Sequence, residues 1–268
     1  MTLSKGNELI PGTREALAAL LARGQRRLFV TNNSSKSRQQ YLAKFASLGI
    51  EVDPEEIVPS SYAAAAYLQS IAFQGTAFLV GGSGMCQELE AAGIHYLTLP
   101  PQRQPWTVDS LKELQLAGGI GAVVVGFDEH FSYEKLCYAS VCLREIEGCH
   151  FVATNLDHAD NIGNGRMMPG TGCIVAAIET AACRHAFNVG KGGAWLLPFL
   201  CDKYGVKPHE ACIVGDRLDT DIALGKAGGL RTILPLTGVT THVDLQAADG
   251  DMLPDFVVPS FAAMLGFS

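Results

Sequence analysis

Apolar positions along the chain fall into short runs that alternate with amphipathic stretches. The runs Arg27–Thr31, Ala77–Gly81, Ala122–Gly126, His150–Thr154, Ala211–Gly215, Thr232–Pro235 and Phe256–Pro259 are too short for helices and read as strands. Between them, Thr13–Arg23, Ser37–Leu48, Ser61–Ile71, Met85–Ala92, Ser132–Glu147, Gly172–His185, Ala194–Tyr204 and Thr220–Lys226 read as helices. Strand followed by helix, repeated, predicts an α/β fold on a parallel sheet with helices on both faces. The stretch Ser60–Gln87 carries no charged side chain. Gln69, Gln74 and Gly75 interrupt it, and Gly81-Gly82 closes an apolar run, so a buried helix followed by a strand is expected rather than a membrane span. Pro100–Pro105 with Trp106 reads as a surface loop.

A chain of 268 residues holds one large α/β domain or two smaller ones. With 48% hydrophobic and 18% charged residues it has the make-up of a soluble globular protein. A formal net charge of −7 argues against nucleic acid or an anionic membrane as the main partner. A phosphorylated substrate stays open, because a bound cation reverses the local field. None of the eight cysteines forms a Cys-x-x-Cys pair, which removes zinc-ribbon and thioredoxin-like readings. Several sit in apolar stretches, such as Cys212 in Ala211-Cys212-Ile213-Val214, and are expected as buried reduced thiols in a reducing compartment. Met1–Arg14 lacks the apolar core of a signal peptide, and a cytoplasmic location is expected.

Three segments carry candidate chemistry. Leu28–Val30 leads into Thr31-Asn32-Asn33-Ser34, a strand end with a hydroxyl and two amides that can donate to an anion; a turn with a helix cap is the plainer reading. Gly190-Lys191-Gly192-Gly193 sets one ammonium among glycines ahead of a helix, either to hold a phosphate or as a solvated loop lysine. Val214-Gly215-Asp216 opens a loop in which Asp216, Asp219 and Asp221 place three carboxylates within six residues. Oxygen donors of that kind suit Mg²⁺, although an acidic helix start satisfies the helix dipole equally well. Gly81-Gly82-Ser83-Gly84 follows a strand as a dinucleotide loop does. It lacks the third glycine and a downstream acidic residue, and reads as an ordinary turn. His130 and His158 read as solvated or structural histidines.

In the order Thr-Asn-Asn, Gly-Lys, Gly-Asp-x-x-x-x-Asp, these segments resemble the second, third and fourth motifs of the haloacid dehalogenase (HAD) superfamily phosphatases. The chain is most similar to the group of eukaryotic phosphoglycolate, pyridoxal phosphate and 4-nitrophenyl phosphatases. Gly6–Gly12, Val125–Tyr133, Pro169–Gly172 and Leu236–Val239 support this over nearly the whole chain. The resemblance implies a Rossmann-like parallel-sheet core of residues 1–70 and 186–268, with an α/β cap of residues 71–185 inserted into it. It implies hydrolysis of a small phosphomonoester through an aspartyl-phosphate with Mg²⁺ as cofactor. Thr31, Asn32 and Lys191 would take the phosphoryl group, Asp216 would ligate the metal, and Asp221 would support it. The segment Asn155–Asn161 would be the cap loop over the substrate, so that Asn33, Asn155, Asp157 and Asp160 are the expected substrate contacts. The expected partners are a small phosphorylated metabolite and a second copy of the chain through the cap.

The family's first motif, a strand ending Asp-x-Asp-Gly that carries the nucleophile and the general acid-base, occurs nowhere in the 268 residues. By resemblance it belongs just ahead of Ser4–Gly12, so the chain as written is expected to be inactive. A catalytically inactive phosphate- or metabolite-binding protein of HAD fold is the alternative; an NAD-binding module is disfavoured by the incomplete glycine pattern.

Overall fold

The structure, a computed structural model, describes residues 2–6, 8–99, 107–162 and 166–267. The surface loop expected at Pro100–Pro105 and Trp106 lies outside the described residues. In chain order the first elements are β1 (Ser4–Lys5), β2 (Glu8–Leu9), α1 (Thr13–Ala22), β3 (Phe29–Thr31), α2 (Arg38–Ser47), β4 (Ile57–Pro59) and α3 (Ser60–Ser70). Next come β5 (Thr76–Val80), α4 (Ser83–Ala91), β6 (His95–Leu97), α5 (Val108–Lys112), β7 (Ile120–Val125), α6 (Tyr133–Glu145) and β8 (His150–Ala153). Then follow β9 (Ala159–Asn161), β10 (Met167–Pro169), α7 (Thr171–Ala182), β11 (Phe187–Asn188) and α8 (Leu196–Tyr204). The last are β12 (Cys212–Val214), α9 (Ala223–Gly228), β13 (Arg231–Pro235), α10 (His242–Ala247) and β14 (Phe256–Val258).

Two compact units result: Met1–Phe29, Leu42–Ile57 and Lys191–Ser268 in the first, Val30–Tyr41 and Val58–Gly190 in the second. The second is built on a five-stranded, wholly parallel sheet in the order β11-β8-β7-β5-β6. Parallel strands covered on both faces read as unbroken apolar runs, and Ala77–Val80 and Ala122–Val125 are fully buried. Phe78, Val123, Val125 and Phe151 point into one core with Tyr138, Cys142, Leu143, Val175 and Ile178 of α6 and α7. Leu79, Val124 and Val152, alternate in register, are equally buried. Counted by position in the sequence this sheet runs 5-4-3-1-2, and its strand order reverses between β5 and β7, where doubly wound sheets open a crevice at their carboxyl ends.

The first unit carries the three-stranded parallel sheet β12-β13-β14. Its core gathers Ala16 and Leu17 of α1 with Leu48, Ile50, Phe261 and Ala262, packed against Phe29, Phe45 and Val214. Strands β3 and β4 pair with each other, and each straddles the division between the units. The helix and strand expected in Ser60–Gln87 are α3 and β5, and among the described residues no helix is long and apolar enough to cross a membrane.

Residues 30–41, 58–70 and 186–190 group with the second unit; Ser60–Ala66 and Leu68 are buried as α3 packs on α4. One feature differs from the sequence expectations. Cys212 is exposed, whereas Cys137, Cys142 and Cys149 are buried thiols.

Candidate active site

The Thr31–Asn33 segment leaves β3 and runs along the second unit to α2. A buried hydroxyl and a buried amide hold its backbone: Ser60 Oγ donates to the Asn32 carbonyl at 2.6 Å and Asn155 Nδ2 donates to the same oxygen at 2.7 Å. Asn32 Nδ2 donates to Asp157 Oδ1 at 3.1 Å. Thr31 Oγ1 accepts from the Asn33 N–H at 3.2 Å, and its side chain also bonds the Tyr41 phenol. Burial pushes that phenol up to about 12, and the bond to Thr31 offsets part of the rise. The Asn33 side chain accepts both the N–H and the hydroxyl of Ser35, the local turn chemistry that asparagine favours.

Downstream, Ser34 Oγ accepts the Phe127 N–H at 2.9 Å, and Ser61 Oγ donates to the Lys36 carbonyl at 2.7 Å. Buried Glu88 accepts the Arg38 N–H at 2.6 Å and pairs with its guanidinium at 3.0 Å. That guanidinium lies over the Tyr62 ring, 4.0 Å from its centroid. A Cβ on Gly84 would stand 2.5 Å from the Lys36 backbone, so the helix start at Gly82–Gly84 is shaped to receive this segment. Thus the crevice between β5 and β7, where the sequence offered a glycine-rich loop, holds the chain's own residues 34–38.

Asn155 and Asp157 lie near Asn32, in the stretch that follows β8, as expected of a loop at that strand's end. Asp160, expected in the same cap loop, lies instead in a strand. It belongs to β9, paired antiparallel through Met168 of β10, and is exposed. The sequence Asp160–Arg166 lacks the apolar alternation that signals a strand, so pairing with Met167–Pro169 alone defines it. His158 is exposed and gives its carbonyl to the Gly170 N–H. Sequence reasoning missed Ser60, Thr171, Arg38 and Glu88, whose roles come from long-range contacts.

In the first unit, Lys191 Nζ lies 2.7 Å from Asp221 Oδ1, with 13% and 7% of the two side chains exposed. Asp221 Oδ2 accepts the Arg217 N–H at 3.2 Å, so both of its oxygens are engaged. Asp221 stands on one wide helical turn, Leu218–Ile222, ahead of α9. Such π-type turns are frequent at functional sites. Buried Asp216, just past β12, accepts the Val239 N–H at 2.9 Å and the Thr2 hydroxyl at 3.0 Å. Burial raises its proton affinity, and these hydrogen bonds lower it. Gly215 and Gly238 make the cluster possible. A Cβ on either would stand 2.1 Å or 2.0 Å from the Asp221 or Asp216 carboxylate respectively. Asp219 is turned outward onto the Arg217 guanidinium at 2.6 Å.

Among the described residues no three His, Cys, Asp or Glu side chains form a ready cage for a metal ion. Mg²⁺ commonly takes one or two carboxylates and completes its shell with water and substrate phosphate. Asp216, an ionised carboxylate at a strand end, fits that sparse demand; Asp221, held by Lys191 and the Arg217 amide, fits a supporting place better than a ligand place.

The family model described as haloacid dehalogenase-like hydrolase matches residues 2–95, and a second HAD-hydrolase-like model matches residues 188–264. The chloroplastic phosphoglycolate phosphatase 1A of Arabidopsis thaliana is 42% identical over 271 residues, covering 97% of this chain and 73% of that protein. The p-nitrophenyl phosphatase from Archaeoglobus fulgidus superposes with a TM-score of 0.82 at 29% identity, covering 98% of this chain and 94% of that one. A glycerol phosphate phosphatase from Mycobacterium tuberculosis, solved in complex with magnesium, gives a TM-score of 0.79 at 26% identity, covering 98% and 73%.

Proposed function

The chain belongs to the haloacid dehalogenase-like hydrolase family, and from that premise we propose that it serves Mg²⁺-dependent hydrolysis of small phosphomonoesters. The observation that carries this reading is the Lys191–Asp221 pair in the same unit as the buried carboxylate of Asp216. Asp221 fixes the ammonium, which would offset charge on a phosphoryl group; Asp216 would hold Mg²⁺, which supplies further charge neutralisation when bound. In the second unit, Thr31 and Asn32 would donate to phosphoryl oxygens. Asn33 would meet the leaving group from the core, and Asp157 and Asp160 from the cap, residues 71–185 in the proposed division.

The relatives named for phosphoglycolate, p-nitrophenyl phosphate and glycerol phosphate support a small, acyclic or aryl phosphomonoester as substrate. The family reaction runs through an aspartyl-phosphate. No Asp-x-Asp-Gly stands in these 268 residues. That same absence favours a second reading, a phosphate- or metabolite-binding protein without turnover. A cytoplasmic location and a homodimer through the cap complete the proposal.

The experiment has two parts. Calorimetric titration with Mg²⁺ and inorganic phosphate should show binding that Lys191→Ala and Asp216→Asn each weaken by about tenfold or more. A 4-nitrophenyl phosphate assay, run on the chain and on a version extended at its amino end by a strand ending Asp-x-Asp-Gly, then separates the readings. Turnover in the extended version supports the phosphatase; binding without turnover in both supports the binding protein. No phosphate binding at all would remove both.

A further inference from the structure

We propose that Asn155 is a positioning residue of the phosphate-binding segment rather than a contact for the substrate. The inference rests on the reading that Thr31–Asn33 grips phosphate. Asn155 is 2% exposed. Its Nδ2 lies 2.7 Å from the Asn32 carbonyl, 3.2 Å from Thr154 Oγ1 and 3.3 Å from Thr171 Oγ1. Its Oδ1 accepts the Asp157 N–H at 3.1 Å. An amide group has two hydrogens to donate. Three acceptors already crowd them, and the side chain has no surface from which to reach a ligand.

What this side chain can do is fix a peptide. The Asn32 carbonyl has two lone pairs, and the two buried donors Ser60 Oγ and Asn155 Nδ2 occupy that oxygen. The peptide group is planar and trans, so fixing the carbonyl also fixes the Asn33 N–H on its other side. That N–H donates to Thr31 Oγ1 and thereby orients the hydroxyl. A second tie runs through the loop: Asn155 holds the Asp157 N–H, and the Asp157 carboxylate holds the Asn32 amide. Main chain and side chain of Asn32 are therefore both set from Asn155, within one compact unit. Pre-set donors bind an anion without first losing conformational freedom, and this is the advantage the clamp confers.

The test uses the 268-residue chain with inorganic phosphate and Mg²⁺, read by calorimetry, together with amide hydrogen exchange. Asn155→Ala should weaken phosphate about tenfold or more and speed exchange locally at residues 31–37. Ser60→Ala removes the other donor to the same oxygen and leaves the Asn155 network in place; it should weaken phosphate about threefold, and the double variant should fall short of the product of the two effects. The Ser60→Ala variant carries the test should Asn155→Ala fail to fold. Wild-type phosphate affinity in a folded Asn155→Ala or Ser60→Ala variant overturns the proposal. So does exchange that accelerates evenly across the second unit, which is the mark of a merely structural role. Absence of phosphate binding in the unsubstituted chain is a different failure, seen before any variant is made; it overturns the phosphate reading and the positioning role with it.

Discussion

Lys135 Nζ and Asp128 Oδ2 meet 2.6 Å apart with 5% and 4% of their side chains exposed. Asp128 Oδ1 also accepts the His130 N–H at 2.8 Å, so the pair ties the turn after β7 to the first turn of α6. Removing one partner of a buried pair strands the other charge. Lys135→Met is therefore expected to cost about 3–5 kcal/mol in urea unfolding, and Asp128→Leu/Lys135→Met less than the sum of its parts. At the other end of the exposure scale, the Lys226 ammonium, then the Thr232 amide and hydroxyl, draw the Asp255 carboxyl down from 3.8 to about 2. A carboxylate whose folded pKa is depressed stabilises the fold above its unfolded value and loses that contribution as pH falls through the folded one. The stability gap between wild type and Asp255→Asn should thus be full above about pH 4 and fade toward pH 2, as urea midpoints across that range would show. Single residues were legible in the sequence where their chemistry is local. Lys191, Asp216 and Thr31 announce themselves at strand ends. The saturation of Asn155 depends on Thr171 and Asn32, sixteen and 123 positions away, and no local pattern encodes it.

The glycine-rich turn between β5 and α4 has the look of a nucleotide loop and a different occupant. A Cβ at Gly84 would stand 2.5 Å from the Lys36 backbone, where no flexible side chain can give way. Gly84→Ala should therefore destabilise the chain by about 1–3 kcal/mol through overpacking and weaken phosphate binding as the 31–38 segment shifts. Gly118→Ala, at a position with nothing within 4 Å, should do neither. Thermal melts and phosphate titration of both variants check this. All seven expected strands and all eight expected helices are present, one of them opening with the wide turn at Leu218–Ile222, because runs of four or more apolar or amphipathic residues outvote local noise. The elements that escaped are short: β1, β2, β4, β6, β9, β10 and β11 span two or three residues each, and α5 and α10 span five and six. Such pieces bury too little to leave a periodic trace and exist only through their partners, as β11 does through Val152 and Ala153.

At the scale of the whole molecule, chemistry and architecture were unequally legible. The alternation of strands and helices pointed to the α/β class, but which strands share a sheet is a matter of distant pairing, and among the described residues the strands divide among five sheets. Since no Asp-x-Asp-Gly stands among the 268 residues, this chain by itself should show no Mg²⁺-dependent hydrolysis of 4-nitrophenyl phosphate. Turnover above the rate of an Asp216→Asn control would refute that and point to a nucleophile elsewhere. The grouping of residues 30–41 with 58–190 has a practical corollary for anyone recombining relatives. A chimera cut at the apparent ends of the insert would transplant Asn155 and Glu88 and leave behind the segment they hold. The graft that keeps its donors and acceptors together must carry two separate pieces of the parent sequence, and hybrids made with the shorter cut should fold yet recognise phosphate poorly.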